Sequence, residues 1–355
     1  MQTKKLLLAG SHAGSTAIAV IEEIKRRNLD WEIHWVGMEY KNMSNLGIIF
    51  HNLESGKIEN KFTKNTISSF LKIPNSFLKG KKIVNDIKPD LTLSFGSAAG
   101  AIVSFWSSFT NVSVILHEQT ATAGRANIIS SYFAKKILIS RESSSIFFSK
   151  KKTELVGNPI NKEILKYVND KKNTRVKSVL ITGGSQGSKW INDAIKPLLP
   201  RLLERFYVIH QTGEANVTEF KQINNEIQPN KGHERYFVFG QTDPKNMAEI
   251  FAKSDIVISR SGANTCWEIL ALKKPSILIP IPWTYNDEAT ENAKYLENLG
   301  ISRIILQKDL TPHRLYSEID KIIEDYPSII KKTENIISPD FDASEKIVDI
   351  LQEQI

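Results

Sequence analysis

The sequence predicts an α/β protein made of two doubly wound, parallel-sheet domains of Rossmann-like type, and three observations carry that expectation. The chain has 355 residues, too many for one ordinary core and enough for two domains of roughly 150–200 residues each. A short apolar run that breaks into a Gly-rich turn and then into helical spacing occurs at residues 5–27 and again at 178–199. A third stretch, Asp255 to Ala293, has the same order of strand, turn and helix and adds a further strand. Strands alternating with helices in this way imply βαβ units and parallel pairing.

In the first half, Lys5–Ala9 reads as a buried strand. It is followed by Gly10-Ser11-His12-Ala13-Gly14-Ser15-Thr16, with apolar residues then at Ile18, Val20, Ile21 and Ile24. A Gly-rich turn between strand and helix is a generic phosphate cradle, because the backbone approaches closely and the free N–H groups of the helix start face the ligand. Trp31–Val36 is the second strand. Residues 62–85 interleave Phe70, Leu71, Ile73, Phe77, Leu78, Ile83 and Val84 with Lys64, Lys72, Lys79, Lys81 and Lys82. That pattern fits a helix pair packed on the sheet with its lysines in solvent, and also a basic amphipathic surface on an anionic bilayer. Leu91–Phe95 is a strand ending in Gly96-Ser97, and Val112–Leu116 is one ending in His117-Glu118-Gln119-Thr120. Polar residues just past strand ends are where an open α/β sheet keeps its ligand groups. The other reading of His117 and Glu118 is a buried, hydrogen-bonded pair that fixes the following loop. Lys136–Ser140 and the strand before Val156-Gly157-Asn158-Pro159 complete this half.

The pattern restarts with a strand at Ser178–Thr182, the turn Gly183-Gly184-Ser185-Gln186-Gly187-Ser188 and a helix over Trp190–Leu199. Later strands are Phe206–His210, Tyr236–Phe239 and Ser302–Leu306, and Ala343–Ile355 reads as a helix. The expected division is 1–159 and 160–339, with the C-terminal helix of 340–355 free to pack back on the first domain.

Within the third stretch, Ile256–Ile258 stops at Ser259-Arg260-Ser261-Gly262, a helix opens at Ala263, and a second apolar run covers Ile277–Ile281. The turn presents helix amides and the positive end of the helix dipole to the space beyond the strand tips, so an anion suits it. Arg260 and Glu268 border the opening with a cation and a carboxylate, the pair that a ribosyl diphosphate needs; a structural ion pair is the other role open to Arg260.

Composition narrows the classes further. The 47 Lys and Arg against 39 Asp and Glu give a net charge of +8, which favours anionic partners, but the basic residues are dispersed and not interleaved with aromatic platforms, so nucleic acid is not expected. The single cysteine, Cys266, excludes an internal disulfide and fits a reducing compartment. No Cys/His cluster has zinc spacing, and neither a GxSxG elbow nor a P-loop lysine pattern occurs, which sets aside a metal site, a serine hydrolase and a P-loop NTPase. No run of about 18 apolar residues is present, so any membrane contact is expected to be peripheral.

Taken together, Gly183-Gly184-Ser185-Gln186-Gly187, His117-Glu118-Gln119 with Ala123-Gly124 and Asn127, Val156-Gly157-Asn158-Pro159, His210-Gln211-Thr212-Gly213, and Ser259-Arg260-Ser261-Gly262-Ala263 with Glu268 resemble the MurG family of glycosyltransferases, in order and with similar spacing over most of the chain. The resemblance implies a GT-B fold, with the two domains facing across a cleft. It implies transfer of N-acetylglucosamine from UDP-N-acetylglucosamine to a polyprenyl-pyrophosphoryl-muramoyl-peptide acceptor, lipid I to lipid II, in one inverting, metal-independent displacement without a cofactor. It also implies a cytoplasmic enzyme peripheral on the inner face of the cell membrane, with residues 62–85 on the anionic surface. By the same resemblance the donor is held by Gly184, Ser185, Gln186, Gly187, Gln241, Arg260, Ser261, Gly262, Ala263, Glu268 and Glu288. Ser185 then serves the diphosphate and Glu268 accepts both ribose hydroxyls, a task that suits the paired oxygens of a carboxylate. The acceptor and its diphosphate fall to Gly10, Ser11, Ala13, Gly14, Ser15, Gly96, Ser97, Glu118, Thr120 and Asn127. Ser15 stands where the family has its candidate base, a histidine; His12, three residues earlier, is the substitute and His117 the fallback. Ala289, beside Glu288, aligns with the glutamine that contacts the donor sugar in the family. Three rivals share the architecture: a related GT-B enzyme with another sugar or acceptor, a UDP-sugar 2-epimerase, which needs no acceptor, and a UDP-sugar binder without turnover.

Overall fold

The computed structural model describes residues 3–11, 13–38, 43, 45–53, 64–170, 173–184, 186–227 and 235–355, and the backbone alone over 64–73. It divides into two compact units, Met1–Ile160 with Pro339–Ile355, and Asn161–Ser338.

In chain order the first unit contains β1 (Lys4–Gly10), α1 (Gly14–Arg26), β2 (Trp31–Gly37), β3 (Ile49–Asn52), α2 (Lys64–Ile87), β4 (Leu91–Ser94), α3 (Ser97–Phe109), β5 (Ser113–Glu118), α4 (Arg125–Ser131), β6 (Lys136–Ile139) and β7 (Thr153–Leu155). The strands lie in the order β3-β2-β1-β4-β5-β6-β7, every neighbouring pair parallel. Leu6, Leu8, Leu91, Leu93 and Ile115 pack with Ala17, Val20, Ile21 and Ile24 of α1, while Leu7, Ala9 and Val36 pack with Val84, Ile87, Ala99 and Val103 of α2 and α3. Strands covered by helices on both faces must be apolar on both, and these read as continuous apolar runs for that reason.

Three expectations are corrected here. Pairing of His117 with Leu138 and Glu118 with Ile139 carries β5 on to Glu118, so these two residues end the strand instead of following it. Residues 64–87 form one helix, not a helix pair: Pro74 lies inside it, and the single amide donor it lacks does not end the helix, which continues until Val84 and Ile87 are packed in the sheet core. Residues 62–63 and the side chains of Lys64, Phe70, Leu71, Lys72 and Ile73 lie outside the described set. The edge strand β3 was not expected, because its residues are mostly exposed and carry no buried alternation.

The second unit contains α5 (Lys162–Leu165), β8 (Ser178–Thr182), α6 (Lys189–Ile195), α7 (Leu199–Leu203), β9 (Tyr207–Gln211), α8 (Val217–Ile227), β10 (Tyr236–Phe239), α9 (Pro244–Lys253), β11 (Ile256–Ser259), α10 (Ala263–Leu272), β12 (Ser276–Leu278), α11 (Glu288–Asn298), β13 (Ser302–Ile304) and α12 (Pro312–Thr333). Its strand order is β10-β9-β8-β11-β12-β13, again all parallel. The helix expected over 190–199 is broken into α6 and α7 by a 3-10 turn at Lys196–Leu198, where Pro197 cannot continue an α-helical ladder. β12 stops at Leu278, short of Ile281, since Pro280 and Pro282 offer no ladder donor.

The chain then returns to the first unit as α13 (Ala343–Gln354). Ile347, Val348, Ile350 and Leu351 enter the core beside α1, and Arg27 reaches the side chains of Asp349 and Gln352 while sharing the buried Glu23 with Arg26. The outgoing chain at 157–158 and the returning chain at 339–340 are bound to each other. Asp340, fully buried, accepts from both terminal nitrogens of buried Arg141 at 2.8 and 2.7 Å and from the Asn158 amide at 2.7 Å. Gly157 takes φ +87° and packs on the Pro339 carbonyl, which a Cβ would meet at 2.0 Å. Removing one partner of such a pair leaves a buried charge uncompensated, so Arg141→Ala or Asp340→Ala is expected to cost about 3–5 kcal/mol in urea unfolding. Arg141→Lys should restore little, because one ammonium cannot serve both carboxylate oxygens in the plane that a guanidinium matches. An unchanged midpoint in either Ala variant would mean that the pair contributes nothing.

Candidate functional site

The strand order of each sheet reverses at one place, between β1 and β4 in the first unit and between β8 and β11 in the second. Open α/β sheets take ligands beyond the carboxyl ends of the strands at such a switch point, so each unit carries its own candidate.

In the second unit, β11 leads through Arg260 to Gly262 into α10. Gly262 caps that helix in an extended conformation and has no side chain to bond its first turn, and the positive end of the helix dipole faces the space beyond β11. A Cβ on Gly262 would meet nothing within 4 Å, which leaves the approach open. Ser261 is turned inward: its hydroxyl donates to the Ala289 carbonyl at 2.6 Å, and Asn292 Nδ2 donates to the Ser261 carbonyl at 3.3 Å. The start of α11 is thereby fastened to the turn, with Ala289 buried and Glu288 half-buried. Just before it, Asn286 and Asp287 both adopt φ +49°, a left-handed conformation that Asn and Asp tolerate better than most residues.

Glu268 lies on the second turn of α10. Its carboxyl group is sunk deeply enough that burial raises its pKa to about 7, and among the described residues it has no hydrogen-bond partner, although part of the side chain stays accessible. Arg260 is held by three neutral groups, donating to Ser188 Oγ at 3.1 Å, to the Ile279 carbonyl at 3.1 Å and to Gln307 Oε1 at 2.8 Å. Its alternative role as an ion pair is therefore corrected to a neutral clamp joining three loops. Ser188 and Gln307 escaped the sequence reading because their bonds to Arg260 span 72 and 47 residues.

The loop after β8 is fixed by backbone contact with the loop after β9. Gly184 at φ +81° donates to Thr182 Oγ1 at 3.0 Å, and Thr182 Oγ1 bonds Gln211 Oε1 at 2.6 Å. A Cβ on Gly187 would lie 2.1 Å from the Thr212 carbonyl oxygen and one on Gly213 2.2 Å from that of Gln186, so both positions demand glycine. A buried chain of hydrogen bonds supports this contact. Asn192 Nδ2 donates to the Thr212 carbonyl at 3.0 Å, its Oδ1 accepts from His210 Nε2 at 3.1 Å, and His210 Nδ1 accepts from the Tyr236 hydroxyl at 2.9 Å. Burial pushes His210 down to about 3, so the ring stays neutral. Gln186 and Gln241 are exposed at the rim, and Ser185 lies outside the described residues.

In the first unit two helices begin at the switch point, α1 after Ala13 and α3 after Gly96; neither of these residues supplies a side-chain cap, and in α3 Ser97 Oγ accepts from the Gly100 amide at 3.5 Å. Gly10 fits between Phe95 and Trp35 with little space for a Cβ, Gly14 is buried, Ser11 is half-buried and Ser15 exposed. Gly96 and Ser97 take φ +83° and +67°. Asn127 donates to Glu118 Oε2 at 2.7 Å, while its buried Oδ1 has no partner among the described residues and faces the Gly96 turn, where a Cβ would stand 2.3 Å away.

Glu118 is buried, which raises its pKa, and its carboxylate accepts from the amides of Thr120 and Gly124, both at 3.0 Å, as well as from Asn127. Thr120 Oγ1 stands 2.8 Å from the same carboxylate. Glu118 and Thr120 thus hold the loop that follows β5. His117, the fallback base, is corrected on the same grounds. The Gly157 carbonyl can only accept, so Nε2 at 3.0 Å carries the ring proton, and Nδ1 faces Gln119 Nε2 at 3.3 Å. With both nitrogens engaged, no exposed surface and a pKa lowered by burial to about 4, the ring orients Gln119, which also reaches the Phe95 carbonyl at 3.2 Å. His12 lies outside the described residues.

Elsewhere on this unit, Phe77, Phe105, Trp106, Phe109 and Phe133 form an aromatic cluster across α2, α3 and the end of α4. Leu78, Phe109, Ile129 and Tyr132 are exposed around it, together with Lys79, Lys81 and Lys82, and Lys81 Nζ stands 5.0 Å over the Trp106 ring. Among the described residues no helix is long and apolar enough to cross a membrane.

Residues 15–139 match the model of the glycosyltransferase family 28 N-terminal domain, and residues 178–352 that of its C-terminal domain. The UDP-N-acetylglucosamine–N-acetylmuramyl-(pentapeptide) pyrophosphoryl-undecaprenol N-acetylglucosamine transferase of Lachnoclostridium phytofermentans is 30% identical over 361 residues, covering 98% of each chain. Among solved structures, MurG of Acinetobacter baumannii aligns with a TM-score of 0.74 at 20% identity, over 99% of this chain and 100% of that one. The UDP-GlcNAc 2-epimerase of Neisseria meningitidis bound to UDP-GlcNAc aligns at 0.67 and 16% identity, over 99% and 100%. At those identities the two structures speak for the fold, two parallel-sheet units of GT-B type. Both halves of the chain match one family and the likeness to the curated transferase runs end to end: the chain belongs to glycosyltransferase family 28 and, within it, to the MurG family.

Proposed function

We propose that the chain transfers N-acetylglucosamine from UDP-N-acetylglucosamine to a polyprenyl-pyrophosphoryl-muramoyl-peptide, converting lipid I to lipid II. The observation that carries this reading is Glu268, a buried carboxylate without a partner among the described residues, on the helix whose uncapped start ends β11. Two ribose hydroxyls satisfy both of its oxygens, and the diphosphate then reaches the amides at Ala263 and the Gly184–Gly187 loop, with Ser185 as a further donor. Charge that develops on departing UDP meets fixed dipoles there. The acceptor diphosphate falls to the helix starts after Ala13 and Gly96, within the loops Gly10–Ser15 and Gly96–Ser97, the latter backed by Asn127. In the reaction the acceptor hydroxyl oxygen bonds to the anomeric carbon, the bond from that carbon to the diphosphate breaks with inversion, and the hydroxyl proton passes to a base. With His117 sealed between Gly157 and Gln119, His12 is the base of this reading.

The peripheral seat belongs to the same proposal. The exposed apolar residues around Phe109 and Tyr132, ringed by Lys79, Lys81 and Lys82, suit an anionic leaflet, each lysine adding about 1 kcal/mol near the surface.

Incubated with UDP-N-acetylglucosamine and polyprenyl-pyrophosphoryl-muramoyl-pentapeptide, the protein is expected to release UDP only when the lipid is present, with mass spectrometry showing one added N-acetylhexosamine. A UDP-linked epimer formed without acceptor would replace transfer by isomerisation. In the same assay His12→Ala should slow release at least about 100-fold. A second expectation follows from the raised pKa of Glu268. Ribose hydroxyls donate to the ionised carboxylate, so binding the donor favours deprotonation. The Kd for UDP-N-acetylglucosamine should therefore rise as pH falls below about 7, by up to about tenfold per unit, and Glu268→Gln should abolish that slope. Calorimetry in two buffers of different ionisation heat reads the released proton, and a Kd that stays flat from about pH 5.5 to 8 removes Glu268 from the ribose. Flotation with anionic vesicles checks the seat: salt should weaken binding, and Phe109→Ser with Tyr132→Ser should abolish it, whereas equal flotation of the double variant moves the contact elsewhere.

A further inference from the structure

Beside the donor turn, the second unit contains a cavity of about 350 Å³, near the lower end of the roughly 300–1,000 Å³ typical of small-ligand pockets. Its walls are Trp190 at the head of α6, Pro280 and Pro282 after β12, and Leu306, Gln307 and Lys308 after β13. Trp190 is 53% exposed and Leu306 40% exposed, so two large apolar side chains are left to solvent at its mouth. The cavity shares its boundary with the donor turn in two ways. Gln307 is the residue whose Oε1 holds Arg260, and Thr290, another lining residue, follows Ala289, whose carbonyl takes the Ser261 hydroxyl.

We propose that this cavity is the subsite for the peptide carried by the acceptor sugar. The inference rests on the transferase reading, because bond formation then requires the acceptor hydroxyl to come within bonding distance of the anomeric carbon. Whatever is attached to the acceptor sugar must then lie alongside the donor turn. Of the groups the acceptor carries, the diphosphate needs amides and several cations, while the described residues that line the cavity supply one charged side chain, Lys308. The polyprenyl chain lies beyond the diphosphate and needs an apolar path to a bilayer. A short peptide has small apolar side chains for the Trp190, Pro280, Pro282 and Leu306 walls and a carboxylate for Lys308. With its oxygen taken by Arg260, the Gln307 side chain turns its NH₂ group to a peptide carbonyl.

Steady-state kinetics with two acceptors test this, the polyprenyl-pyrophosphoryl-muramoyl-pentapeptide and the same lipid without its peptide. In Trp190→Ala, and separately in Lys308→Glu, the KM for the pentapeptide lipid should rise about tenfold, the equivalent of about 1.4 kcal/mol, while KM for the peptide-free lipid and for UDP-N-acetylglucosamine stays unchanged. Both side chains face solvent, so the variants should keep their fold, and circular dichroism verifies this. Equal effects on the two lipids, or a shift in the KM for UDP-N-acetylglucosamine, overturn the peptide subsite and leave the transferase reading standing. If the unaltered, folded protein transfers to neither lipid, the two readings fall together.

Discussion

Parallel pairing is the constraint on which the rest of this structure depends. When every strand of a sheet runs the same way, the carboxyl ends of all strands and the amino ends of the helices after them emerge at one edge. At the two switch points that edge holds the starts of α1, α3 and α10, none of them capped by the side chain of its N-cap residue. Helix starts favour anions without a single charged side chain, so loops of Gly, Ala and Ser at that edge can attract negative charge. Close approach of neighbouring loops at the same edge explains where glycine is obligatory: at Gly187 and Gly213 two backbones touch, and any Cβ would occupy the other chain's carbonyl.

Two carboxylates show how the same residue type takes opposite parts. Glu118 is surrounded by donors from its own loop, and its oxygens are satisfied by the fold. Glu268 is only half-buried and has none among the described residues, so nothing in its own unit offsets the desolvation that raises its pKa. The histidines divide in a related way. His117 and His210 are both sealed, neutral and fixed in one tautomer by their neighbours, and each orients an amide side chain, Gln119 in one unit and Asn192 in the other.

Much of the architecture was legible because it is written locally. Ser178–Thr182 and Tyr236–Phe239 are apolar runs with clear punctuation, and they form strands over those same residues. The strand, turn and helix around Gly262 were equally plain, as was the turn glycine at 187. What escaped was either non-local or a matter of competition. No pattern within ten residues says that Arg260 will reach Gln307, or that Asp340 will close on Arg141 and Asn158. The extension of β5 through Glu118 was decided by β6 pairing beside it, and the continuation of α2 past Pro74 by packing that outweighs one lost amide bond. At the site, residue types left His117 and Glu118 open between facing a substrate and fixing the following loop, and only the family resemblance placed Glu118 and Thr120 at the acceptor. Only their mutual distances assign them to holding the loop.

The returning helix α13 has a consequence for how the protein is made. Its apolar residues complete the face of α1 that holds Val20, Ile21 and Ile24, yet it leaves the ribosome only after the whole second unit. At roughly 5–20 residues per second, synthesis of 161–338 occupies about 10–35 s, during which the first unit waits with that face uncovered. The second unit, an unbroken segment, has all its own residues before the first does. Assembly in the cell therefore runs against chain order, and the early unit is the one a chaperone has most reason to shelter.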